Sequence, residues 1–83
     1  MKKATVTIVD KWIRPGDINP KIKVYGIKTK SGHIFETCGN FGRFQTYPDP
    51  CKDVENITLN KTYEIAYGNA VSYEHRTLIG ITQ

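Results

Sequence analysis

Lysine and aromatic residues share one side of two neighbouring predicted strands, an arrangement suited to binding a polyanion. The expected outward side chains are Lys21, Lys23, Tyr25, Lys28, Lys30 and Phe35. Lysines neutralise phosphates, and aromatic rings stack on bases with about 1–3 kcal/mol per base. The pattern predicts a surface for single-stranded nucleic acid. The alternative is that Tyr25 and Phe35 are core residues, the usual place for an aromatic residue in a strand.

A second cluster of aromatic residues falls in a stretch without regular periodicity. Phe41, Arg43, Phe44 and Tyr47 lie within seven residues of one another. Aromatic residues and arginine dominate binding hot spots, so this segment could wrap nucleic acid or dock on a protein. The alternative is a lid whose rings fill one open end of a barrel. Arg76 is a further candidate phosphate contact.

Two cysteines bracket this aromatic segment, with twelve residues between Cys38 and Cys51. A disulfide between them would contribute roughly 3 kcal/mol in the chain-entropy model, but a cytosolic chain is expected to keep both thiols reduced. The histidines, His33 and His75, do not provide the short ligand spacing of zinc motifs. We therefore expect no metal and no cofactor.

The sequence contains no recognisable catalytic motif. Neither histidine stands in a G-x-S-x-G or H-E-x-x-H context, and no glycine-rich loop is suited to holding phosphates. Asp49, Asp53 and Glu55 are better explained as partners of a helix dipole than as a catalytic carboxylate pair. The prediction is a protein that is not an enzyme.

Positive charge is concentrated in the first third of the chain. The formal net charge is +4, and residues 1–30 contain eight Lys or Arg against two Asp, whereas residues 31–83 contain four against six acidic residues. A basic face favours polyanionic partners and speeds their encounter. Lysine-rich strands are also ordinary solvated surface, which is the alternative interpretation.

Length and composition predict a single folded domain over residues 1–83. Hydrophobic residues make up 39% of the chain and charged residues 24%, a balance typical of globular proteins. There is no run of about 18 apolar residues to span a bilayer, and the N-terminus does not resemble a signal peptide. We expect a cytoplasmic protein with no membrane partner.

Alternation of apolar and polar residues predicts five β-strands. They are expected at residues 4–13, 21–30, 33–38, 62–67 and 76–82. The tight turn at residues 30–33 predicts a hairpin between the second and third strands. Gly68 and Asn69 are expected to end the fourth strand.

Three local signals refine this pattern. Val9, Trp12 and Ile13 break the alternation of the first strand, so its far end is expected to carry a bulge or to be covered on both faces. Gly26 is expected to bend the second strand so that Ile27 turns inward. A long irregular segment separates the third and fourth strands. Within it, Asp49 as N-cap and Pro50 at the first helical position predict a helix of one or two turns.

Three strands, an irregular segment with a short helix and two further strands form an order that resembles the oligonucleotide/oligosaccharide-binding fold. The predicted fold class is therefore all-β, a small five-stranded, partly open antiparallel barrel, with an SH3-like barrel as the alternative. The resemblance covers most of the chain but depends on layout alone. It implies ligand binding across strands two and three and at the loops between strands one and two and strands four and five.

The leading functional hypothesis is a non-catalytic nucleic-acid-binding module that prefers single-stranded DNA or RNA. The alternative is a small protein-interaction module, encoded by a phage or mobile element, that binds or inhibits a host protein. The expected state is a monomer, or a homodimer formed by pairing of edge strands.

Overall fold

The computed structural model of the protein describes residues 2–38, 46–70 and 75–82. Within them lie five strands and one helix: β1 (Lys2–Pro15), β2 (Lys23–Thr29), β3 (Ile34–Cys38), α1 (Pro50–Asn56), β4 (Lys61–Ala70) and β5 (His75–Thr82). The prediction of five strands with a short helix between the third and fourth is confirmed. No helix in the described part of the chain is long and apolar enough to cross a membrane.

The strands form a closed barrel in the order β1-β2-β3-β5-β4. All neighbouring strands are antiparallel except β3 and β5, which run parallel and pair from Ile34 with His75 to Glu36 with Thr77. This short parallel pairing closes the barrel, so the barrel is not partly open as the sequence predicted. The small all-β barrel is confirmed, and its layout is compatible with the oligonucleotide/oligosaccharide-binding one.

The first strand changes partners and faces along its length. Its first half pairs with β4 and its second half with β2. The register jumps from Ile8 opposite Thr29 to Asp10 opposite Lys28, so Val9 forms a bulge, which is one of the two arrangements expected where the alternation breaks. Because an extra residue shifts the two-residue period, Ile8 packs in the core, whereas Trp12 beyond the bulge lies on the outside of the barrel over β2.

The first half of the second strand presents the opposite face to the one predicted, whereas Ile27 points inward and Lys28 outward as predicted. It runs unbroken from Lys23 to Thr29, with no register shift at Gly26. Ile27 is fully buried in the core and Tyr25 packs against the same core. Since side chains alternate along a continuous strand, Val24, Gly26 and Lys28 point outward. The predicted bend at Gly26 and the outward position of Tyr25 are therefore wrong.

The barrel interior is filled by apolar side chains from every element except the last part of β1. The buried cluster consists of Ile8, Ile27, Phe35, Val54, Ile57, Ile65, Leu78 and Ile81. Val54 belongs to α1 and Ile57 follows it directly, so the helix covers one end of the barrel.

The helix begins and ends with side-chain contacts to its backbone. Asp49 is the N-cap, and its carboxylate accepts a hydrogen bond from the backbone N of Lys52 at 3.2 Å, which confirms the predicted start. At the other end, the Lys11 ammonium donates to the carbonyl oxygens of Glu55 and Ile57, each at 2.9 Å. A cation there complements the helix dipole and ties β1 to α1.

The fourth strand is longer than predicted. It continues through Gly68 to Ala70, with register irregularities against β5 between Ala66 and Tyr67 and between Tyr67 and Ala70. The irregular pairing lets the strand continue past Gly68, which was expected to end it.

Candidate nucleic-acid interface

Three adjacent strands share an outer surface, which we call the β1–β2–β3 face. It consists of the outward residues Asp10, Trp12, Arg14, Val24, Gly26, Lys28, Ile34 and Glu36. In the central row, Trp12 is the register partner of Gly26, and Gly26 is in turn the partner of Glu36. The centre of the face is therefore one indole, one glycine and one carboxylate.

The indole of Trp12 lies directly against the backbone of Gly26. A Cβ built on Gly26 would stand 2.3 Å from Trp12 Cε2 and 2.4 Å from Nε1. No other residue type leaves this space, which is one reason a strand contains glycine. The half-buried ring of Trp12 thus lies across β2 and reaches the next strand.

Glu36 fixes the ring from the far side of β2. Its carboxylate accepts hydrogen bonds from Trp12 Nε1 at 3.1 Å and from Arg14 Nε and Nη2 at 2.9 and 3.0 Å. The side chain of Glu36 is only 9% exposed. The two-pronged contact with Arg14 is the geometry in which guanidinium and carboxylate bind most strongly, so the charge of this acid is compensated on the face itself.

Arg14 extends this network to the loop between β1 and β2. Its Nη1 forms an ion pair with Asp17 Oδ1 at 3.0 Å and also donates to the carbonyl oxygen of Pro15. The hydrogen bond with Glu36, opposed in part by desolvation, raises the pKa of the Arg14 guanidinium. The cation therefore stays charged throughout the working pH range and orients both carboxylates.

Four predicted phosphate contacts are exposed and lie toward the two ends of β2. Lys28 and Lys30 lie at the end near the β2–β3 turn, and Lys21 and Lys23 at the end near the β1–β2 loop. At about 3.3 Å per residue, Lys23 and Lys28 are roughly 17 Å apart along the strand. Within the described residues, no carboxylate forms an ion pair with any of the four. Lys28 lies on the same side of β2 as Gly26 and therefore near Trp12, whereas Lys23 has the parity of Tyr25 and Ile27 and starts from the other side of the strand.

Asp10 is the remaining acid of the face. It is exposed, it stands at the register position of Lys28, and its carboxylate accepts a hydrogen bond from the backbone N of Lys11 at 2.8 Å.

The predicted stacking residue Phe35 is a core residue instead. Its side chain is 2% exposed and packs edge to face with Tyr67, with ring centroids 5.1 Å apart. The prediction that Phe35 lies on the outer face is wrong, because its ring faces the barrel interior. Phe35 is therefore a core residue, which was the alternative interpretation of this aromatic.

Tyr25 also faces inward, toward α1. It packs against the buried cluster, and burial, followed by the hydrogen bond with Glu55, raises the pKa of its phenol. Its ring lies on the opposite side of β2 from Trp12, so it does not join the β1–β2–β3 face.

Arg76 lies apart from the lysines of β2. Its guanidinium carbon stands 5.7 Å from the centroid of the Tyr67 ring, a cation–π distance. It belongs to β5, two strands away from β2. Phe41, Arg43 and Phe44 lie outside the described residues, as does the side chain of Cys38. Cys51 is buried.

Trp12, Arg14 and Glu36 were not among the predicted site residues. The broken alternation at Val9, Trp12 and Ile13 indicated an irregularity in this part of β1, but the sequence does not tell which residues of β2 and β3 lie opposite Trp12. The described residues contain no group of three or more His, Cys, Asp or Glu that could hold a metal ion.

Comparison with known proteins returned no match: no protein-family model, no curated protein and no solved structure is similar to this chain.

Proposed function

We propose that the protein binds single-stranded nucleic acid across the β1–β2–β3 face. Trp12 is the stacking platform for a base, Lys28 and Lys30 contact phosphates beside it, and Lys21 and Lys23 contact phosphates where β2 begins, next to the β1–β2 loop. The observation that carries the proposal is an indole packed against a strand glycine, with exposed lysines toward both ends of that strand that form no ion pair among the described residues.

The electrostatics of the face support this proposal. An unpaired carboxylate beside a stacking ring would repel phosphates, but Glu36 is neutralised by Arg14 at two contacts. The exposed lysines of β2 then outnumber Asp10, the one remaining acid of the face. Lysines that neutralise phosphates release counterions, and this release drives binding in a salt-dependent manner.

The layout of the barrel supports the same location. We propose that the barrel is of the oligonucleotide/oligosaccharide-binding type, with its helix between β3 and β4 and its strand order β1-β2-β3-β5-β4. Barrels of this type bind ligands on strands two and three and at the β1–β2 and β4–β5 loops. The β1–β2–β3 face occupies that surface.

The chain provides its own reporter for the test, because Trp12 is its single tryptophan. Labelled single-stranded DNA, single-stranded RNA and duplex DNA of the same sequence are titrated with the protein by fluorescence anisotropy over a salt series. Tryptophan emission is recorded in parallel with unlabelled strands. We expect single strands to bind more tightly than the duplex, with quenching of Trp12.

The expected salt dependence is specific. Four neutralised phosphates predict a slope of log affinity against log salt of about −3 for single strands, at roughly −0.7 per phosphate. Absence of binding at low salt, or binding that leaves Trp12 emission unchanged, would overturn the proposal.

A protein-interaction module is the second candidate. Ile18 in the β1–β2 loop is 101% exposed and Ile13 at the end of β1 is 52% exposed, and apolar side chains of this kind are suited to docking on a protein. A nuclease-resistant, stoichiometric partner that is captured by the protein and lost with Ile18→Asp would favour this function.

A further inference from the structure

A cleft of about 350 Å³ lies where β1 leaves β2, beside the β2–β3 turn. Its lining residues are Thr5, Val6, Thr7, Thr29, Lys30 and Ser31. Four of the six carry a hydroxyl group and a fifth carries an ammonium group. The cleft is therefore lined mainly by hydrogen-bond donors.

The backbone holds the turn against β1. The backbone N of Lys30 donates to the carbonyl oxygen of Thr7 at 2.9 Å, although the strand pairing has already ended at Ile8 and Thr29. Gly32 has φ of +93°, a conformation that favours glycine, and its N donates to the carbonyl oxygen of Thr29. The wall formed by the turn is thus fixed in place.

Hydrogen bonds among Thr29, Ser31 and His33 orient the hydroxyl groups of this wall. The backbone N of His33 donates to Thr29 Oγ1 at 3.1 Å, Thr29 Oγ1 lies 2.9 Å from Ser31 Oγ, and Ser31 Oγ lies 3.0 Å from His33 Nδ1. Thr29 is only 2% exposed. A buried hydroxyl therefore organises an exposed one at the rim.

The opposite wall is ordered in the same way. Thr7 Oγ1 lies 3.0 Å from Thr62 Oγ1 on β4, and Thr5 is exposed beside it. Glu64 is the register partner of Thr5, but it does not line the cleft. No acidic side chain is among the lining residues, so the Lys30 ammonium is the charge that the cleft presents.

We propose that this cleft is a phosphate-binding subsite, with the Lys30 ammonium and the Thr5 and Ser31 hydroxyls as donors to the phosphate oxygens. The donor set matches an oxyanion, because ammonium and hydroxyl groups both donate hydrogen bonds to it. The phosphate belongs to a nucleic-acid strand, either as a terminal phosphate or as an internal phosphodiester. In this respect the proposal builds on the proposed function, since Lys30 follows two residues after Lys28 of the β1–β2–β3 face.

The test uses amide NMR spectra of the full chain. Inorganic phosphate is titrated at constant ionic strength, with chloride as the matched control, followed by an oligonucleotide with a 5′-phosphate and by the same oligonucleotide without it. We expect saturable shifts of the Thr7, Lys30 and Ser31 amides. Shifts with inorganic phosphate and a preference for the 5′-phosphorylated strand identify a terminal phosphate, whereas equal shifts with both strands identify an internal one.

Variants separate a site from a general charge effect. Lys30→Gln should weaken phosphate-dependent binding roughly tenfold, the size expected for a charge-assisted hydrogen bond, and Ser31→Ala should weaken it to a smaller degree. Lys52→Gln removes an exposed lysine from α1 and should have no effect. Equal losses with Lys30→Gln and Lys52→Gln, or identical shifts with chloride, would overturn the subsite.

The same titrations distinguish failure of the subsite from failure of the proposed function. Quenching of Trp12 by oligonucleotides while the turn amides stay unshifted would retain the function and remove the subsite. Saturable shifts with inorganic phosphate, while no oligonucleotide quenches Trp12, would retain the subsite and remove the function.

Discussion

The Trp12 indole occupies the space where a side chain at Gly26 would be, with Trp12 Cε2 only 2.3 Å from the ideal Cβ position. The same packing of an aromatic ring on a glycine occurs on β5, where a Cβ on Gly80 would stand 2.2 Å from Tyr47 Cδ1. In each case an aromatic ring covers the outside of the sheet at a glycine. Both glycines are therefore required by packing, whereas only the ring of Trp12 lies on the β1–β2–β3 face.

Gly26→Ala should destabilise the protein, because the new methyl group must displace the indole and weaken its hydrogen bond to Glu36. The expected loss is about 1–3 kcal/mol, typical of overpacking. Urea denaturation measures the free energy of unfolding, and a red shift of Trp12 emission in the folded state reports the displaced ring.

Gly68→Ala is the matched control for this substitution. A Cβ on Gly68 would meet Ile79 Cδ1 and Thr77 Cβ at 3.9 Å, which is ordinary van der Waals contact. We expect a change of less than about 0.5 kcal/mol and unchanged Trp12 emission. A Gly68→Ala loss as large as that of Gly26→Ala would contradict the packing argument.

Glu36→Gln should be more damaging than the substitution of the other acid that Arg14 contacts. The amide group can no longer accept hydrogen bonds at both of its polar atoms, so at least one donor among Trp12 Nε1 and the Arg14 guanidinium loses its partner. The expected loss is about 1–3 kcal/mol by urea denaturation.

Asp17→Asn is the control for the Arg14 network. The Asp17 side chain is 85% exposed, and exposed ion pairs three residues apart contribute at most about 0.5 kcal/mol. The loss should therefore be small and should vanish at high salt. Equal losses for Asp17→Asn and Glu36→Gln would show that Glu36 does not hold Trp12 in place.

The second strand shows why part of this site could not be predicted. The five strands in their order, an irregularity in the first strand and the helix start at Asp49 follow from local signals, and the structure confirms them. In β2, however, Val24 and Ile27 lie on opposite faces. Apolar residues therefore occur on both sides of this strand, and the pattern does not show which side faces the core. The choice depends on Gly26 lying beneath Trp12, a contact between residues on different strands.

Phe35, a predicted base contact, shows the same limit of sequence-based prediction. A period-two pattern places its ring on one side of β3 but does not tell which side faces the barrel interior. Closure of the barrel decides this, because it brings the Phe35 ring against the partly buried Tyr67 of β4. Exposed lysines, by contrast, could be predicted one at a time, since burial of an unpaired lysine is rare.

Stability should depend on the ionisation of Tyr25 at alkaline pH. Burial and the neighbouring Glu55 raise the pKa of the Tyr25 phenol above its ordinary value, which is about 10. The unfolded chain therefore loses this proton first, so the free energy of unfolding falls as pH rises from about 10 toward the native pKa.

Tyr25→Phe removes this ionisable group and should make the decline shallower. The measurement is the free energy of unfolding in urea at several pH values, compared between the two proteins. A parallel titration of tyrosinate absorbance should lose a component that ionises above the ordinary tyrosine pKa in the variant. An identical decline for both proteins would show that the Tyr25 phenol does not titrate differently in the folded and unfolded states.

Lysines at both ends of β2 should contribute separately to binding of single strands. Lys23→Gln and Lys28→Gln should each reduce the steepness of the salt dependence by about 0.7, the value for one phosphate contact on a single strand. Both side chains are exposed, so the free energy of unfolding should stay within about 0.5 kcal/mol of the original. The double variant should lose about twice as much slope, because the two positions are too far apart to contact the same phosphate.

Lys52→Gln on α1 carries the same change in net charge away from the β1–β2–β3 face. If it reduced the slope as much as Lys28→Gln, binding would depend on net charge and not on this face.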